Sequence, residues 1–347
     1  MLKGEGQSSN LWRTTRIIMK PIILTDKSRV DGSRFVKVFK FNDGTEVPLY
    51  EVFTMSAFNQ LIGHVKFQNT KYGNVYYRGA NGLYDNVRPS IMRKRKHGDA
   101  NDLNKIIKSI CSNGFFCESL KLQHPPLPVS KKDYYLVNEI NRQNKYRVEA
   151  LLQHYSGNTR FLDVVDNHWV ALWMGLHSFV MHGKGFRYCK CEKRELLMGD
   201  FYEFAQAEKA SVEELLREEN IYEYVLLLAM PYSTRHQGGI QETNEFIEVD
   251  LRKVLPSHYL RPHAQHALVI RRRDNLNTDK MASYYDMASQ VVAILQVRID
   301  RASLWLGNGN LLTSDNLFPS PSVDQGYNNL LMNEHLFPSP FKIIRYY

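Results

Sequence analysis

Alternating apolar and polar positions mark the first clear element of the chain. RFVKVFKF (34–41) and TEVPLYEVF (45–53) flank Asn42-Asp43-Gly44, the signature of a β-hairpin. NVYYRGA (74–80) predicts a further short strand that ends at an Arg-Gly pair before the turn-prone Asn81-Gly82. Helical spacing predicts helices in DLNKIIKSI (102–110), EINRQNKYRVEALLQHY (139–155) and DNHWVALWMGLHSFVMH (166–182), the last apolar nearly all round and therefore buried, with Asp166 and Asn167 as cap candidates. The prolines of LQHPPLPVSKKD (122–133) make a rigid connection, and VEELLREEN (212–220) reads as a solvent-facing helix. Strands return in YEYVLLLAMPY (222–232), EFIEVDL (245–251) and HALVIRR (266–272), followed by a predicted helical stretch at 281–296. The order strands, helices, strands predicts an α+β fold rather than regular βαβ alternation. LFPSP occurs twice, at 317–321 and 336–340, and reads either as a tail packed on the domain or as an exposed docking segment.

Composition narrows the class. With 347 residues, 43% hydrophobic and 23% charged, the chain can bury a sizeable core. The N-terminus lacks an apolar stretch followed by a small-residue cleavage site, and no segment is long enough to span a bilayer, so a cytoplasmic location and no membrane partner are expected. Cys111, Cys117, Cys189 and Cys191 stand at spacings unlike zinc knuckles. The histidines at 177, 182, 258, 263 and 266 have no carboxylate at ligand spacing, so no metal site is expected. The net charge of +9, concentrated in MRKRKH (92–97) and RRR (271–273), suits a polyanionic partner, RNA or DNA, against the plainer reading of solvated surface runs. TRHQGG (234–239) has the composition of an anion-binding segment and reads more plainly as a loop.

The densest polar constellation is QHYSGNTRFLD (153–163), where Gly157-Asn158 gives a tight turn and Asp163 lies close enough to Arg160 to pair with it. A second is YYRGA (76–80): Arg78 offers a planar fork suited to phosphate, and Gly79 would let a ligand approach the backbone. Without further context these read equally as a stitched turn and a surface arginine.

Together, YRGA, RPSIMR (88–93), LLQHYSGNTRFLDVVDNHWVALWMGLH (151–177), RPHAQHAL (261–268) and Phe318-Pro319 resemble the FRG domain. That family is named for a phenylalanine-arginine-glycine motif and marked by a pattern like QHYGxPTRLLDWT. The resemblance covers roughly residues 70 to 320, with Tyr77 in place of the family's phenylalanine, Asn158 in place of a proline and Val164-Val165 in place of a Trp-Thr pair.

The resemblance implies an ADP-ribosyltransferase-like split β-sheet core with inserted and flanking helices. It divides the chain into a β-rich N-terminal extension packed on the core (1–65), an FRG-type domain (66–320) and a C-terminal tail (321–347). It implies NAD as substrate, bound by Arg78, Gly79, His154, Tyr155, Thr159 and Arg160. Catalytic roles fall to Arg78, Tyr155, Thr159 and Gln265: Arg78 fixes the pyrophosphate or nicotinamide ribose, Tyr155 stacks on the nicotinamide, and Thr159 bonds the ribose or amide. Asp163 supports Arg160 from behind, and Gln265, a neutral amide where a carboxylate would stabilise developing positive charge, can orient but not activate. The implied activity is transfer of ADP-ribose from NAD to a macromolecule, with RNA or DNA favoured by the basic runs, in a toxin or anti-phage defence effector restrained by an antitoxin or regulatory protein. An NAD hydrolase and a non-catalytic nucleotide- or nucleic-acid-binding module are the alternatives.

Overall fold

The computed structural model describes residues 20–25, 30–93, 98–128, 130–182, 187–195, 221–233, 235–274 and 282–346; the charged segment 212–220 and positions 94–97 of the basic run lie outside the described residues. The fold is α+β. Its first two strands, β1 (Ser33–Lys40) and β2 (Glu46–Val52), form the expected antiparallel hairpin. Gly44 closes the turn at φ +86°, a conformation that costs a glycine little, and the Thr45 N–H bonds the Asp43 carboxylate at 2.9 Å.

Helix α1 (Met55–Asn69), capped by the Thr54 hydroxyl on Ala57 N–H, leads into β3 (Gly73–Ala80). The short α2 (Ser90–Arg93), α3 (Gly98–Ser112) and α4 (Gly114–Ser119) precede the long α5 (Lys131–Ser156), which starts at a Ser130/Asp133 capping box right after the proline connection. Then come β4 (Leu162–Val165), α6 (His168–Leu176), β5 (His177–His182), β6 (Arg187–Lys193) and β7 (Tyr222–Pro231). The hairpin β8 (Arg235–Gln237) and β9 (Ile240–Glu242) is followed by β10 (Phe246–Asp250), β11 (Ala267–Arg272), β12 (Val291–Arg298) and β13 (Ile344–Tyr346).

Ten strands line up as β1-β2-β12-β7-β3-β4-β11-β10-β9-β8, and β13-β6-β5 make a small second sheet. The large sheet is nearly two sheets, because β3 and β4 share a single register pair, Tyr77 opposite Val165, whereas β3 and β7 pair over eight positions. Each half has its own helical cover. Tyr77, Val225, Leu227 and Leu295 pack under α1 and α6, while Val249, Val269 and Ala267 pack under α3 and α5. The opposite faces of both halves, Tyr76, Leu226 and Ile294 from one and Leu162, Val164 and Ile270 from the other, meet in a shared third cluster. The two halves thus close on each other along one side and splay apart where β3 leaves β4.

Two predicted helices are corrected. The segment 166–182 is helical only to Leu176; His177 then turns extended, its ring stacked on Trp173 at 3.7 Å, and the rest pairs with β6. The segment 291–296 is strand β12, held between β2 and β7. TRHQGG is not a free loop: residues 235–237 are strand β8 and Gly238-Gly239 turn the chain into β9, Thr234 lying outside the described residues. Among the described residues no helix is long and apolar enough to cross a membrane.

Candidate active site

The splay between the half-sheets opens into a cleft of about 400 Å³, within the range of small-molecule sites. Arg78 reaches it from the end of β3 and spans the split, its Nη1 donating to the backbone carbonyl of Asp163 on β4 at 2.7 Å. Half-buried, and repelled by the guanidinium of Arg93, Arg78 has its pKa drawn down to about 10 and remains cationic at neutral pH. Gly79 also borders the cleft, but what approaches its backbone is α6: a Cβ there would lie 2.0 Å from the carbonyl oxygen of Ala171. The glycine is needed for packing, whatever else it contacts.

The QHYSGNTRFLD segment is shaped by the end of α5. Gly157, at φ +71°, turns the chain and returns its N–H to the carbonyls of Leu152 and Gln153. A chain of side chains then fixes the motif from within: the buried Thr159 hydroxyl donates to Gln153 Oε1 at 2.8 Å, and Gln153 Nε2 donates to Asp163 Oδ2 at 2.5 Å. Asp163, nearly half exposed, therefore presents its carboxylate to the cleft with one oxygen already oriented. His154 lines the same wall, its Nδ1 3.9 Å from Asp163 Oδ1 and its buried Nε2 without a hydrogen-bond partner. Burial holds this imidazole below its ordinary pKa against the upward pull of Asp163, which keeps it neutral at pH 7.

Three expected site residues lie elsewhere. Tyr155 is fully buried on the far side of α5, where its hydroxyl donates to Asp324 at 2.9 Å and its ring packs with Tyr259 and Tyr327, so it presents no face for stacking a ligand. Adjacent helical residues diverge by about 100°, and it is His154, not Tyr155, that points to the splay. Thr159 is fully buried and bound to Gln153. Arg160 does not pair with Asp163; its Nε and Nη2 grip the buried Glu149 carboxylate at 2.9 and 2.7 Å, beside Arg271 and Asp274. Arg160 lies in the bend before β4, which begins at Leu162, so its direction is set by that bend and by Glu149 rather than by the strand that carries Asp163.

Gln265, expected from RPHAQHAL, does line the cleft; its Nε2 donates to the Leu317 carbonyl at 2.7 Å. In the same motif Arg261 is buried inside an aromatic box, with its guanidinium carbon 4.4–4.6 Å from the rings of Tyr155, Tyr327 and Tyr346. Tyr346 also stacks on Phe318 at 4.4 Å, and both form part of the cleft wall. The second LFPSP copy packs inward through the buried Phe337, and β13 pairs in parallel with β6.

Arg93, Gln153, Tyr346 and Phe318 are thus site residues without an assigned role in the sequence reading. Arg93 stands in RPSIMR, at the start of the basic run MRKRKH, where local sequence does not separate it from a surface charge; for Tyr346 no local signal exists. The RRR cluster is not an open cationic face: Arg271 is buried against Asp274 and Glu149, and Arg272 lies over Phe246.

Residues 73–180, from the first residue of β3 into β5, match the family model of the FRG domain. No curated protein and no solved structure matches the chain.

Proposed function

Since residues 73–180 carry an FRG domain, we propose that the protein is an ADP-ribosyltransferase that takes NAD into the cleft between its half-sheets and moves ADP-ribose to a macromolecular acceptor. The observation that carries this reading is convergence: Arg78, His154 and Asp163 from the FRG segment and Gln265 from far along the chain line one cleft. The splayed sheet, joined at one register pair, supports an ADP-ribosyltransferase-like core in which the substrate lies across the split.

The side chains suit cleavage of the nicotinamide–ribose bond. Positive charge develops on the ribose as that bond lengthens, and a carboxylate nearby stabilises it. Asp163 is the carboxylate in place, one oxygen held by Gln153 and the other 3.9 Å from His154 Nδ1 at the cleft wall. Gln265, with its amide nitrogen anchored on Leu317, keeps its carbonyl oxygen to orient a hydroxyl or amine. The neutral His154 is suited to accept the proton that the acceptor gives up when it bonds to ribose C1′ and neutral nicotinamide departs. Arg78 remains the anion-binding arm.

The test is incubation of the purified protein with NAD labelled on the adenine side, with RNA, DNA or cell protein in separate reactions, following nicotinamide release and label transfer. Label in one polymer, lost in Arg78→Ala and Asp163→Asn, is expected. Release without transfer would make the enzyme an NAD hydrolase, and neither signal with any acceptor would overturn the catalytic reading.

A further inference from the structure

The cleft contains a charge arrangement that the folded protein alone does not explain. Arg78 enters from β3 and Arg93 from the end of α2, and both line the same cavity. A guanidinium has five N–H donors. Among the described residues, Arg78 bonds only the carbonyl of Asp163, and Arg93 bonds only the carbonyl of Arg88 through Nε, at 2.9 Å. Neither forms an ion pair there. Asp163 is the carboxylate of this wall, and its oxygens face Gln153 and His154 instead.

Like charges in one partly dehydrated cleft repel, and each raises the cost of the other. That repulsion registers in Arg78, where the proximity of Arg93 adds to burial in depressing the pKa. Several other guanidiniums are met by carboxylates: Arg160 has Glu149, Arg88 has Asp286, Arg252 has Asp250 and Asp166, and Arg345 has Glu334, while Arg187 donates to carbonyls and Arg261 lies in its aromatic box. Arg88 and Arg93 make the contrast within one short segment, since the first is paired and the second, five residues on, is turned to the cleft unpaired.

We propose that Arg78 and Arg93 form a two-armed clamp for a diphosphate, one guanidinium to each phosphate, so that the cleft selects ligands carrying a pyrophosphate bridge over nucleosides and monophosphates. The fit is chemical: a diphosphate diester carries one charge on each phosphate, which cancels two guanidiniums, and the planar forks bind phosphate oxygens in pairs. Polar clamping of the bridge leaves the apolar wall, Phe318, Phe179 and Met174, for a ring. Arg93 is thereby a ligand-binding residue, within the RPSIMR segment, to which the family resemblance assigns no role. This proposal deepens the transferase reading and rests on the same cleft.

The experiment is calorimetric titration of the full chain with ADP-ribose, inorganic pyrophosphate, AMP and adenosine, for wild type, Arg93→Ala and Arg93→Lys. Arg93 is exposed at a helix end, so the variants are expected to melt with the wild type. Losing a charge-assisted phosphate contact predicts roughly tenfold to hundredfold weaker ADP-ribose binding in Arg93→Ala, part recovery in Arg93→Lys, and unchanged adenosine. Equal ADP-ribose affinity in wild type and Arg93→Ala, an equal loss for adenosine, or binding of an RNA oligomer with none of ADP-ribose or pyrophosphate would each overturn the clamp. The two readings fail separately. Arg93-dependent ADP-ribose binding without NAD cleavage sinks the transferase and keeps the clamp; NAD cleavage with binding indifferent to Arg93 does the reverse.

Discussion

Arg160 sits in the most conspicuous motif of the chain, yet its contacts are those of a core ion pair, and this gives a sharp prediction for Glu149→Gln. Glu149 is 1% exposed and accepts from Arg160 N, Nε and Nη2, with Arg271 3.9 Å away. Burial alone would raise its pKa, but Arg160 and Arg271 override that and hold it below the ordinary range. Arg271 keeps Asp274 at 2.7 Å when Glu149 is neutralised, so the loss falls on Arg160, whose remaining carboxylate is 3.8 Å away. Removing one partner of a buried pair costs about 3–5 kcal/mol. At an unfolding entropy of about 2.1 cal/mol/K per residue, 347 residues lose about 1.4 °C of Tm per kcal/mol, so Tm falls by about 4–7 °C. Calorimetry with a matching urea midpoint measures it, and Glu149→Gln with Arg160→Met should regain part of the loss, because the unpaired charge goes with its partner. A melting point within 1 °C of wild type would refute the assignment of Arg160 to stability rather than ligand.

The same cluster sets an acid limit. Glu149 is depressed and Asp274 is held at about 2 by Arg271 and Arg160 against burial, so their stabilisation is complete above the unfolded carboxylate pKa of about 4 and drains as pH falls toward 2; a pH series of urea midpoints should drop there, and drop less in Glu149→Gln. Gly79→Ala should lower stability by about 1–3 kcal/mol or abolish soluble expression, since the methyl meets the Ala171 carbonyl; unchanged stability would show that α6 can retreat. Tyr155→Phe should cost about 1 kcal/mol through the lost bond to the buried Asp324, which keeps the N–H groups of Arg261 and Tyr327, while NAD binding, measured by calorimetry, stays at the wild-type value; a selective loss of affinity would restore Tyr155 to the site. Thr159→Val should cost about 1 kcal/mol and lower kcat more than it raises KM, because it frees Gln153 and with it Asp163; a wild-type kcat would sever that link.

Local rules recovered the hairpin at Asn42-Asp43-Gly44 and the long helix through Tyr155, where turn chemistry and period point the same way. They failed where packing decides. VVAILQ (291–296) is apolar at almost every position, which suits a buried helix as well as a central strand, and only the pairing of β12 with both β2 and β7 selects the strand. At His177 the change from helix to strand follows from β6, a partner no local window contains. The site shows the same division. Arg78, His154 and Gln265 came from motif resemblance and reach the cleft, but the resemblance could not say which of two adjacent residues, His154 or Tyr155, faces it. Orientation depends on where Gly157 ends the helix and how α5 sits on β4. Tyr346 was invisible because its place is set entirely by the pairing of β13 with β6.

The cleft wall that Phe318, Ile344 and Tyr346 complete has a consequence in time. A polypeptide leaves the ribosome from its N-terminus, so Arg78, His154 and Asp163 are out and able to pair while β12, which sits between β2 and β7, is still being made. The half-sheet that carries Arg78 closes only after residue 298 emerges, and Tyr346 arrives 48 residues later still. A growing chain therefore holds most of its polar site residues well before it holds the pocket around them. The pocket is complete only once residue 346 is available to pair, and a chain halted before that point has the site's charges without its aromatic wall.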